Sequence, residues 1–211
     1  MKQGMCVSVV LAILGVTGVA SAQEARGKQG DFALSIERAM GIYLAHTEYD
    51  VEPFDADRDV TGFELGIRAN GVIPSNGVRL GLDYWVMDGL SIGGGIGFSA
   101  YSDDDNDDAE GTLFLIAPRV GYFIGLGEHF GFWPRGGFTF WTQGGTNNDA
   151  NQLMVTLEGM FTLAPSDDYA FLFGPVVDLG FVGEEEVPGP GGDIDRNDRL
   201  LGIAIGMTGF L

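Results

Sequence analysis

The chain has little to offer as a catalyst. It carries one cysteine, Cys6, and two histidines, His46 and His129. No His/Cys cluster is available to hold zinc, and thiol chemistry could rest on Cys6 alone. Basic residues are scarce, 11 against 30 acidic, for a formal net charge of −19. So acidic a chain repels a phosphate backbone, which disfavours nucleic acid as a partner. Beyond its N-terminus it has no apolar run approaching the ~20 residues of a membrane helix. Proline is low at 8 residues, so this is not a disordered Gly/Pro chain. "GGGIG" at 93–97 is not a phosphate loop, because it lacks the lysine and the following helix.

The one long apolar stretch is N-terminal. Lys2 precedes "CVSVVLAILGVTGVA", and Ala20-Ser21-Ala22 supplies small residues before Gln23. This pattern predicts a secretory signal peptide at 1–22, a short segment at 23–30 and one structural unit at 31–211. Cys6 lies within the signal and lacks the Leu-Ala-Gly-type residues of a lipoprotein signal. The mature chain is then expected to have no thiol.

What is abundant is glycine, at 35 residues, with 15 Phe, 6 Tyr and 3 Trp. The stretch "LSIGGGIGFSAY" (90–101) shows how they are used. Leu90, Ile92, Ile96, Phe98 and Ala100 fall in one phase, and Ser91, Gly93, Gly95, Gly97 and Ser99 in the other. Period-two alternation marks a strand. It recurs in "DFALSIERAMGIYLAH", "VRLGLDYWVM", "TLFLIAPRVGYFI", "FGFWPRGGFTFW", "QLMVTLEGMFTL", "YAFLFGPVVDLGF" and "LLGIAIGMTGFL". Arg38 breaks the phase of the first segment, which predicts a bulge or an interfacial position there.

The connections alternate between short and long. Short ones fall near 88, at 125–129 and at 164–168; long polar or acidic ones fall at 48–60, 102–110, 143–151 and 183–198. This is the pattern of a barrel with tight periplasmic turns and longer outer loops. The stretch "TGFELGIRANGVIPSN" (61–76) decides the strand count. Counted as a crossing, it would put the acidic 102–110 loop on the turn side. Left out, it gives eight crossings with every long loop on one side, so 61–76 is read as part of a long first outer hairpin. The fold class is therefore all-β: an antiparallel up-and-down transmembrane β-barrel, most simply of eight strands, after a cleaved signal peptide. Apolar residues would face lipid, small ones a crowded interior, and Phe130, Phe132, Phe140, Tyr101 and Tyr169 the aromatic girdles.

With "RLGLDYWVMDGLSIGGGIGFSAY", "APRVGYFI" and "WPRGGF" on this pattern, the chain resembles the small eight-stranded outer-membrane barrels, the OmpA- and OmpX-like family. The resemblance covers the signal peptide and most of 31–211. It implies residence in the cell outer membrane, contact with outer-membrane lipid and lipopolysaccharide, and handling by the barrel-assembly machinery. Members usually end in an aromatic residue; here the aromatic Phe210 is penultimate, before Leu211.

The interior phase carries Glu37, Arg79, Asp83, Arg119, Arg135, Glu158 and Asp178. Opposite charges in a narrow barrel are expected to pair, because an unpaired buried charge is very costly. The leading expectation is a salt-bridged plug; a rearranging ion path is the rival, and a catalytic carboxylate pair a distant third. Outside, "DADRD" (55–59), "DDDNDD" (103–108) and "DIDRND" (193–198) offer Asp55, Asp57, Asp59, Asp103, Asp105, Asp107, Asp193 and Asp195 as weak calcium or other divalent ligands. None of these runs has the glycine of a calcium-hand loop. No other cofactor is implied. His46 is placed at the outer end and His129 in a periplasmic turn, so the two cannot share a site. Ser35 sits near the far end of His46's strand, and Ser102 has no nucleophile signature around it.

A non-enzymatic structural or surface-interaction role is the first functional expectation. A narrow ion or solute channel is second. A soluble lipocalin-like barrel, which would turn the apolar phase inward, is third.

Overall fold

A computed structural model describes residues 26–51, 54–65, 74–101, 111–145, 149–187 and 192–211. The expected signal peptide and the 103–108 acidic run lie outside the described residues. The strands are β1 (Phe32–Val51), β2 (Phe54–Leu65), β3 (Arg79–Met87), β4 (Leu90–Tyr101), β5 (Gly111–Tyr122), β6 (Ile124–Gly125), β7 (Phe130–Gly145), β8 (Ala150–Leu163), β9 (Tyr169–Val187) and β10 (Gly192–Phe210). Every pairing is antiparallel, and β10 pairs back onto β1, closing a ring of 8 crossings. Closure leaves no open edge, as a sheet in hydrocarbon requires.

The second crossing is made in two pieces. β1 pairs β3 from Phe32 to Glu37 and β2 from Met40 to Val51. The stretch 61–76 thus belongs partly to an outer hairpin, as its alternation suggested. Its end does something the pattern did not reveal. Pro74–Asn76 form a short 3-10 turn whose residues are all buried, inside the lumen. At 48–60 and 183–198 the expected long loops are largely strand: β1 runs to Val51 before β2 begins at Phe54, and β9 runs to Val187 before β10 begins at Gly192. The wall therefore continues upward as paired hairpins, and Asp55, Asp57, Asp59, Asp193 and Asp195 lie on strands rather than in loops.

The faces are sorted as lipid demands. Leu34, Ile42, Leu82, Ile96, Phe138, Leu157, Ile203 and Met207 are exposed, while Glu37, Arg79, Asp83, Arg135 and Asp178 are buried. A water-soluble barrel has the opposite arrangement, and soluble monomers rarely expose so continuous an apolar surface. This excludes the lipocalin-like reading. Phe32, Tyr84, Tyr122, Phe130 and Tyr169 are exposed beside the short turns and form the lower aromatic girdle.

Candidate functional site: the charged lumen

The bulge at Arg38 organises the interior. On β1, Ile36 pairs Met207 of β10 and Met40 pairs Ile205, so extra residues are inserted on the β1 side. Arg38 takes a left-handed backbone, φ 53°, uncommon for a residue with a side chain. The insertion lets Glu37 and Arg38, adjacent in sequence, both point inward, exposed by 1% and 3%. A regular strand would send one of them into lipid.

The charges form a chain of alternating sign across the lumen. Arg119 of β5 pairs with Asp83 of β3 and with Glu37 of β1, the latter at 2.5 Å. Glu37 also accepts from Arg135 of β7 at 2.5 Å. Arg135 lies 2.8 Å from Glu158 of β8, and Glu158 is 3.2 Å from Arg38. Arg38 closes the run on Asp178 of β9, donating at 2.6 and 3.0 Å. Asp178 accepts from Thr156 at 2.8 Å, and Thr156 shares a 2.7 Å hydrogen bond with Thr139. Arg79 stands apart: it donates to the Ser75 carbonyl at 2.6 Å and to Thr139 at 3.4 Å, and makes no ion pair among the described residues. Arg38 donates to the same carbonyl at 2.9 Å. The buried turn at 74–76 is thus the cap to which two guanidiniums are tied.

Arg38, Arg79, Arg119 and Arg135 balance Glu37, Asp83, Glu158 and Asp178 one for one. A low-dielectric lumen tolerates charges on those terms, seven of the eight held in ion pairs and Arg79 by hydrogen bonds to a carbonyl and a hydroxyl. Of the seven lumen residues expected from the sequence, Glu37, Asp83, Arg119, Arg135, Glu158 and Asp178 lie in this chain, and Arg79 is buried beside it on the turn at 74–76. Arg38 was missed, although its break in alternation was the signal: a charge that spoils the lipid-facing phase has to turn inward by a bulge.

Space for the layer comes from glycine. A Cβ on Gly81 would lie 2.3 Å from Ser35 Oγ, 2.9 Å from Arg119 Nη2 and 3.0 Å from Glu37 Cδ. Below lies an aromatic floor. Trp85 stacks on Trp133 at 5.1 Å, and Phe123 meets both edge-on at 6.5 and 6.3 Å. Above is a smaller polar group, on a stretch whose composition predicts a loop. Asp198 is buried and accepts from Thr47 at 2.7 Å and from Arg196 at 3.1 Å. Arg196 also pairs with Glu185 at 2.8 Å and lies 5.1 Å over Trp141.

The outer wall carries a different cluster. His46 Nδ1 is 2.6 Å from Asp59, its Nε2 is 3.4 Å from Glu48, and Glu48 accepts from Arg199 at 3.0 Å. Hydrogen bonding to Asp59 is the main cause that raises the His46 pKa above its ordinary 6.5. Ser35 is buried in the lumen and donates to Glu37 at 2.9 Å, on the other face of the wall from His46. Ser102 lies outside the described residues. Of the aspartates proposed as divalent ligands, Asp59 is engaged by His46 and Asp195 is exposed. Asp55, Asp57 and Asp193 are described as strand positions only, and Asp103, Asp105 and Asp107 lie outside the described residues. Among the described residues no three His, Cys, Asp or Glu side chains converge on a metal position.

No protein-family model matches the chain, and neither does any curated protein. Solved structures do. The outer membrane protein AlkL, determined in DMPC bilayers, aligns with 92% of this chain and 96% of its own at 10% identity, TM-score 0.57. The outer membrane protein OprG of Pseudomonas aeruginosa aligns with 87% of this chain and 97% of its own at 9% identity, TM-score 0.52. At such identities the likeness is one of fold. Together with the closed ring, the lipid-sorted faces and the ion-paired interior, it gives the chain the fold of the small eight-stranded outer-membrane β-barrels.

Proposed function

We propose that the protein is a closed, non-enzymatic outer-membrane barrel whose work is done at its acidic outer wall. The observation that carries this reading is the ion-pair chain from Asp83 to Asp178, which crosses the lumen without a break. An eight-stranded barrel is only wide enough for side chains to fill it. Opening a path would require separating several charge pairs at once in a low dielectric, each costing about 3–5 kcal/mol if left half-made.

Function then falls to the outer hairpins. Their register sets acidic residues opposite one another: Asp50 beside Asp195, Asp195 beside Glu184, and Asp193 beside Glu186. Like charges opposite each other weaken a sheet. A surface that keeps such pairs suits cationic partners, including divalent cations held weakly between it and anionic lipopolysaccharide.

The test is conductance of the refolded protein in a planar bilayer, with insertion shown separately. A silent bilayer is expected. Discrete, reproducible steps would overturn the closed reading and make Arg79, Arg119, Arg135, Glu158 and Asp178 pore-lining residues.

A further inference from the structure

The N-terminal segment before β1 is short, carries no motif and drew no role from the sequence. The structure gives it one. Arg26 is 7% exposed although it precedes the first strand. Its guanidinium donates to the carbonyl of Ser166 at 2.7 Å and to that of Glu128 at 3.2 Å, and pairs with Asp167 at 3.2 Å. It also lies 5.8 Å over the Phe210 ring. The two carbonyls belong to two different short turns, and Phe210 ends the last strand.

The next residues bind the remaining short turn. Gly89 N–H donates to the Gly27 carbonyl at 2.8 Å, and Gln29 N–H donates to Asp88 at 2.9 Å. Gly30 N–H donates to the Trp85 carbonyl at 2.9 Å. Gly27 has φ +74°, and a Cβ there would lie 3.0 Å from Trp85 Nε1 and 3.2 Å from Phe123. Only glycine lets the backbone make this turn while lying so close to the aromatic floor.

We infer that residues 26–31 are a strap that seals the periplasmic mouth of the barrel. The strap is fastened at both ends, by Arg26 on one side of the mouth and by the Gly27–Gly30 hydrogen bonds on the other. It lies against Trp85 and Phe123 and touches Phe210 at the end of β10, where the ring closes on β1. The barrel therefore has two seals in series, the ion-pair layer in mid-lumen and this strap beneath it. They share no residue, so loosening one leaves the other in place.

The strap is tested on the refolded mature protein in lipid vesicles. In Arg26→Ala, acrylamide quenching of tryptophan should rise about twofold, since Trp85 lies against the strap, Trp133 stacks on Trp85, and these are two of the 3 tryptophans. The heat-shifted gel band should persist, showing an intact barrel. Unchanged quenching in a folded Arg26→Ala barrel would overturn the inference. Should Arg26→Ala not fold, a second variant decides. Gln29→Cys with Asp88→Cys, in a mature chain expected to have no other thiol, should cross-link under mild oxidation. A pair that stays reduced in the folded barrel would show that the strap is not seated.

Discussion

Arg38 grips Asp178 with both terminal guanidinium nitrogens, at 2.6 and 3.0 Å, from a backbone held at φ 53°. The two residues are on β1 and β9, so the contact spans β10, the strand between them. Arg38 also touches Glu158, so one side chain holds two neighbouring carboxylates in place. Arg38→Met should leave both buried without that partner and lower stability by about 3–5 kcal/mol, read as a fall in the urea midpoint of the folded gel band. The double variant Arg38→Met with Asp178→Leu should recover part of that loss. A double variant worse than the sum of its singles would show that the pair is not a unit.

Gly81 is a steric requirement of the same layer. A side chain there meets Ser35 Oγ, Arg119 Nη2 and the Glu37 carboxyl carbon. Gly81→Val should therefore cost about 1–3 kcal/mol by overpacking. Gly62 has open space at its Cβ position, so Gly62→Ala should leave stability nearly unchanged. Equal effects at the two sites would mean that the lumen is looser than the contacts imply.

Much of this was legible in the sequence because a lipid-facing wall imposes period two and a narrow lumen gathers charges of both signs. Glu37, Arg79, Asp83, Arg119, Arg135, Glu158 and Asp178 followed from phase alone. Arg38 did not, because a bulge moves a residue to the other face without changing its neighbours in sequence. Asp198 and Arg196 were hidden by composition: "DIDRND" reads as a solvated loop, yet the strand continues through it and two of its residues turn inward. The turn at 74–76 entered the lumen with no period to announce it. The strap was silent for the same reason, since its contacts are to distant turns and to backbone carbonyls.

His46 should titrate late. Both ring nitrogens face carboxylates, Asp59 and Glu48, which only accept, so the doubly protonated ring suits the site. Its pKa is raised above 6.5, chiefly by the Asp59 hydrogen bond. The sign follows: this contact stabilises the fold fully below the unfolded pKa and is lost as pH rises through the higher folded value. An NMR titration should place the His46 midpoint above 6.5, and Asp59→Asn should move it back toward that value. A midpoint unaffected by Asp59→Asn would remove the contact as the cause.

Cations should support the outer hairpins. Asp195 and Glu184 stand opposite each other across β10 and β9, and their repulsion is screened by counter-ions. Millimolar calcium or magnesium should raise the urea midpoint more than sodium at the same ionic strength, and chelation should reverse the gain. Equal effects of the monovalent and divalent salts would leave screening alone, with no divalent binding.

The lipid-facing surface makes the last prediction, and the most direct one about orientation. Ile203 on β10 is exposed by 56% beside Ile42 of β1, well inside the apolar belt, while Tyr169 stands at the lower girdle. A lysine in place of Ile203 must be carried into hydrocarbon, whereas one in place of Tyr169 can reach the headgroups. Ile203→Lys should therefore cost about 2–4 kcal/mol in vesicles and Tyr169→Lys about 0–1 kcal/mol. In a soluble barrel of the same topology both lysines would point into water and neither would be costly. A depth-dependent penalty, measured by the folded fraction against urea in lipid, is thus a property that only a membrane-spanning wall can show.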